Sequence, residues 1–204
     1  MTRSLACGMV AAALLLHVTL AFPPRALSPL TLRIAAAEAA AIWAPYGVAV
    51  DAVMACGCAD DRPPVLTVAI AHSSIPAADP RRHGPLATIG FDAEGSPLTA
   101  LQLYLPDIER MLAAGGVFGR DDARWPTALH DLVLGRVVGR VIAHEIGHYV
   151  LRMRGHAESG LMRAVHRTDL LIAPSRHGFG LSRDDLLRLR QNGPADAPAQ
   201  GDER

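Results

Sequence analysis

Aromatic side chains are scarce in this 204-residue chain, at 4%, which leaves little from which to build the stacking platforms that hold single-stranded nucleic acid. Neither sign of charge is in excess. Twenty acidic residues face twenty basic ones, so nothing in the balance argues for nucleic acid or an anionic membrane surface as partner. No internal repeat is visible. Cysteines number three: Cys7 lies in the N-terminal run, and Cys56 and Cys58 are only two residues apart. A disulfide across that spacing would be strained, and Cys-x-Cys alone is too little for a metal site. Apolar residues, by contrast, make up half the chain, enough for one packed core in a chain of this length.

Acidic residues are missing altogether before Glu38. Arg3 precedes an apolar run, Leu5 to Phe22, and a basic start followed by such a run reads as a secretory signal. Residues 1–21 are assigned to it, with the cut after Ala21, behind Thr19-Leu20-Ala21, and Ala26 as a second candidate. The alternative is an uncleaved membrane anchor, since the run is about long enough to span a bilayer. Either way the remainder is expected to be exported, periplasmic or secreted, and to meet a membrane only if the run stays attached. Residues 22–193 are expected to form one domain, and 194–204 a polar, disordered tail.

Within that domain the spacing of apolar residues predicts a helix over 30–44, ended by Pro45. Strands follow over 47–54, 65–73, 86–91 and 98–105, separated by proline-rich and glycine-rich turns. A short helix is expected over 106–114. A long one opens at Pro126 and runs to about Arg154, and Ser182 caps a last helix whose first turn holds Asp184 and Asp185. This order describes an α+β domain, a small twisted sheet of about four strands packed on a long central helix, with helices at both ends. The long helix is apolar almost all round and therefore buried. Gly135, Gly139, Ala143 and Gly147 bare one of its ridges, which is expected to meet another backbone, the sheet.

That helix carries His144-Glu145-Ile146-Gly147-His148. Histidines four apart project from one helical face and supply two imidazole ligands to a metal such as zinc, whose catalytic sites keep one position open. Glu145, on the neighbouring part of the surface, is placed to act as general base on a water. An unpaired carboxylate in so apolar a helix would be costly to bury, which favours a chemical role over chance. Tyr149 reads as core.

At this point the stretch from His130 to Met162 resembles the metzincin clan of zinc peptidases, within it the matrixins, and is similar to exported bacterial matrixin-like proteins. The clan's pattern is H-E-x-x-H-x-x-G-x-x-H followed by a methionine turn, and Ser159-Gly160-Leu161-Met162 matches the turn. Two positions depart from it: Leu151 stands where the glycine belongs and Arg154 where the third histidine belongs. Leu151 favours continued helix, Gly155 is expected to end it as a left-handed residue, and His156 then becomes the third ligand. Glu158, His166 and Asp169 are its rivals. The resemblance implies a zinc-dependent metalloendopeptidase with Zn2+ on His144, His148 and His156, Glu145 as base, and a peptide or protein substrate laid along an edge strand, for which Leu98–Leu105 is the candidate. The competing reading is an exported zinc-binding protein without turnover.

Overall fold

The computed structural model describes residues 16–54, 65–71, 84–115 and 125–192. All three cysteines, the first fifteen residues of the expected signal and the expected C-terminal tail lie outside the described residues. The architecture is α+β. The elements are β1 (Leu16–Phe22), α1 (Pro29–Trp43), a 3-10 turn (Ala44–Tyr46), β2 (Val48–Met54), β3 (Val65–Ile70), β4 (Ala87–Phe91), β5 (Pro97–Leu103), α2 (Leu105–Gly115), α3 (Thr127–Leu151), α4 (Thr168–Ile172) and α5 (Arg183–Asn192).

Five strands, not four, make one mixed sheet in the order β2-β1-β3-β5-β4. β2, β1, β3 and β5 run parallel, and β4 returns antiparallel to β5 at one edge. The additional strand is β1, drawn from the apolar run assigned to the export signal. Its alternate residues Val18, Leu20 and Phe22 are buried in the core, as period-two patterning places them. β1 pairs with β2 on one side and β3 on the other. A cut after Ala21 would therefore take away all of this interior strand but Phe22.

The edge position also differs from expectation. β5, the segment expected to be the edge, lies between β3 and β4; the edges are β4, beside α3, and β2 at the far margin. A short connection explains it: after the Asp92–Ser96 turn the chain reverses into β5, with Asp92 N–H donating to Ser96 O at 3.0 Å and Ser96 N–H to the Asp92 carboxylate at 2.7 Å. The hairpin makes β4 and β5 neighbours, and because β5 gives its other side to β3, β4 is left outermost.

α1 is capped by Ser28, whose hydroxyl accepts from Thr31 N–H at 3.0 Å, with Pro29 in its first turn. α3, at 25 residues, is about 37 Å long. It packs on α1 along its bare ridge and reaches β4 and β5 with its other side. The ridge thus faces α1, not the sheet. An added Cβ at Gly139 would stand 2.6 Å from Ala35 O, and one at Gly135 2.8 Å from Thr31 O. Where the ridge carries Ala143, the Trp43 indole donates to its carbonyl at 3.0 Å. Two helix backbones approach this closely only where side chains are absent.

Candidate metal centre

His144 and His148 stand one turn apart near the C-terminal end of α3, with His148 buried. α3 ends at Leu151, as leucine's helix preference suggests, but the residue that turns the chain is Arg152, in the left-handed region at φ 49° and ψ 48°. Gly155 is not the terminator and does not have positive φ. The early reversal has a cause in the hydrogen bonds. Arg152 N–H and Met153 N–H both return to His148 O, closing the helix end. Met153 O then accepts from His148 Nδ1 at 2.7 Å. Asn192, at the end of α5, donates to Leu151 O at 2.7 Å.

His156 follows on this reversed chain. Its ring centroid lies 5.3 Å from that of His144 and 4.9 Å from that of His148. One ligand atom from each of the three rings falls within a 4.8 Å set, close enough to bind one metal ion. His156 is the exposed member. Glu158 and Asp169 do not join the set among the described residues: Glu158 is exposed, and Asp169 is held by the Arg167 guanidinium at 2.9 and 2.7 Å. His166 comes near, 6.0 Å from His144 by ring centroids, but its Nε2 is taken up by Leu161 O at 3.1 Å.

The tautomers of the helical pair follow from their partners. His144 Nδ1 lies 2.7 Å from Leu161 O and His148 Nδ1 2.7 Å from Met153 O. A carbonyl only accepts, so each Nδ1 must carry the proton. Burial pushes the His144 pKa down to about 3 and lowers that of His148, so both rings are neutral near pH 7. Their Nε2 atoms, both unprotonated, then face each other at 3.1 Å. Two lone pairs held so close repel unless a cation lies between them, and this is how a pair of metal ligands is oriented by its outer partners. The donor set fits a metal ion.

Glu145 is buried, 5% exposed, yet lines the same cleft as the three histidines. Burial raises its pKa to about 7, opposed by a backbone hydrogen bond from Ile89. Ile89 can supply it because β4 is an edge. Tyr104 N–H donates to Leu86 O at 2.9 Å. In the antiparallel alternation that follows from the β4–β5 register, Thr88 also faces β5 while Ala87 and Ile89 turn outward.

The loop after α3 is built around the methionine that the sequence pattern singled out. Met162 is fully buried, its sulfur in the gap left by Gly147, where a Cβ would collide with it. Gly160, at φ 78°, makes the turn, and Leu161 N–H donates to Gly180 O at 2.8 Å. Arg154, at the departed third-histidine position, lies over the Phe91 ring at 5.1 Å and donates to Asp92 O at 2.7 Å. It ties the loop to the β4–β5 turn.

Further along, residues 167–176 hang from α3. Buried Arg140 bonds Glu38 at 2.8 Å and donates to the carbonyls of Leu170, Leu171 and Ser175; Arg136 donates to Ile172 O at 2.8 Å; Arg176 closes on Glu38 at 2.8 Å. Arg140 also lies 4.6 Å over the Phe179 ring, which stacks on His166. Sequence spacing gave no sign of these supports, because most of the acceptors are main-chain carbonyls that any residue carries.

Between this arm and β4 opens a cavity of about 800 Å³, with Glu145 and the three histidines in its wall. No family model, no curated protein and no solved structure matches the chain.

Proposed function

We propose that the chain is an exported zinc-dependent metalloendopeptidase of metzincin type, in which His144, His148 and His156 hold the metal and Glu145 is the general base. The observation that carries the reading is the facing pair of proton-free Nε2 atoms, 3.1 Å apart, with a third imidazole beside it and a carboxylate in the same cleft. Zinc–nitrogen bonds of about 2.0–2.1 Å around a tetrahedral ion set their ligand atoms about 3.3 Å apart, close to the spacing of the pair.

A zinc ion there supplies an acidified water and a polarised peptide carbonyl. The other steps belong to the chain. The carbonyls of Leu161 and Met153 hold the two helical rings in the ligating tautomer. Glu145, with a pKa near 7, takes a proton from the attacking water and gives it to the leaving amine. Extended peptide pairs with the outward main-chain groups of β4, the edge strand beside the site. An open cleft with a carboxylate in it is what turnover needs, whereas a purely structural zinc closes with four ligands and no base.

Metal content and cleavage of casein or a peptide, measured side by side for the parent and Glu145→Gln, test the reading. The variant should keep its metal and lose activity by about 100-fold or more. A variant as active as the parent, or a metal-loaded parent that cleaves nothing, contradicts it.

A further inference from the structure

Among the described residues, five charged side chains besides the histidines line the cleft: Arg140, Glu145, Arg154, Arg163 and Arg167. All but one are arginines, and their charges are not equally available. Arg140 is neutralised by Glu38 and buried. Arg167 is engaged by both oxygens of Asp169. Arg154 is exposed and uses one of its donors on Asp92 O, which leaves others free. Arg163 is exposed, and its side chain has no hydrogen bond or ion pair among the described residues. Two guanidinium groups uncompensated among the described residues therefore stand in the cleft wall, one by the end of β4 over Phe91, the other on the loop just after Met162. Among the described residues the cleft holds one carboxylate, Glu145, buried beside the three histidines.

We propose that the cleft selects peptides with acidic side chains near the bond to be cut, received by Arg154 and Arg163. The ligand class rests on the peptidase reading above; the charge preference rests on the cleft wall. Guanidinium is suited to the task because its planar fork meets a carboxylate with two parallel hydrogen bonds. Both groups are solvent-exposed, so each pair adds modestly and is weakened by salt.

Binding tests this without turnover. The full chain carrying Glu145→Gln is loaded with zinc and titrated into fluorescently labelled peptides of one length. The residues flanking the central bond are acidic in one peptide, their amides in the second and lysine in the third. Fluorescence anisotropy gives each Kd. The acidic peptide should bind about three- to tenfold more tightly than the amide peptide, and the lysine peptide most weakly. The preference should shrink as salt is raised. Adding Arg154→Gln and Arg163→Gln together should abolish it, with zinc content and melting temperature as controls. If that double change prevents folding, the salt series on the Glu145→Gln chain decides. Equal Kd values for the three peptides, a salt-insensitive preference, binding of none of them, or a preference that survives in a folded double variant would overturn the proposal. Cleavage of the amide peptide by the parent judges the peptidase reading separately: that reading can stand while the charge preference fails, and the reverse.

Discussion

Arg140 is a full charge in the middle of an apolar helix, and its surroundings show what keeps it there. Glu38 of α1 takes one edge of the guanidinium, three carbonyls take the rest, and Phe179 covers its face. Burial lowers the Arg140 pKa, helped by the neighbouring charges of Arg136 and Arg176, and Glu38 opposes that shift. Removing the carboxylate charge with Glu38→Gln should destabilise the fold by about 3 kcal/mol, because it strands a buried cation; urea denaturation measures it. At this scale the site was only partly legible. His144, Glu145 and His148 announce themselves because side-chain chemistry at helical spacing is written in the residue types. His156 was legible from the metzincin resemblance once Leu151 and Arg154 had ruled out the usual positions. The reason it arrives was not. The turn is made by Arg152, a residue with no special liking for the left-handed region, and is set by carbonyl caps that no sequence motif encodes.

The long helix was readable as an element, and so was its bare ridge; its partner was not. Small residues every four positions say that something comes close, but a sheet and a helix leave the same signature in sequence. Steric contact with α1 gives a sharp test. Gly139→Ala improves helix propensity by about 1 kcal/mol, yet the new methyl would meet Ala35 O at 2.6 Å and the Glu38 Cβ at 2.7 Å. The net effect should be a loss of about 1–3 kcal/mol in thermal or urea melts. Gly155→Ala, which meets nothing within 4 Å, should melt like the parent. β1 was not anticipated as a strand, for a related reason. Leu16, Val18, Leu20 and Phe22 alternate with His17, Thr19 and Ala21, a strand pattern, but it sits at the end of a longer apolar run whose composition matches an export signal. Composition and period pointed to different answers, and β1 pairs on both sides along the sheet.

At the scale of the fold, the sheet, α3 and the segment that follows α3 each supply one wall of a single cleft. β4 contributes an open edge and the Ile89 hydrogen bond to Glu145. α3 contributes two imidazoles and the carboxylate. The loop after α3 contributes His156, the Leu161 carbonyl and the exposed Arg163. The fold class could be argued from element order, whereas the meeting of these walls depends on long-range contacts such as Arg140 with Glu38 and Arg154 with Asp92, which pattern alone does not reveal. The account as a whole turns on three imidazoles converging on one ion. X-ray absorption at the zinc edge, on the purified protein and on His156→Ala, tests that most directly. The parent should hold one zinc per chain with three imidazole nitrogens in its first shell, and the variant should lose an imidazole from the shell together with most of its bound metal. A parent that binds no zinc, or a His156→Ala shell and stoichiometry identical to the parent's, would contradict the account.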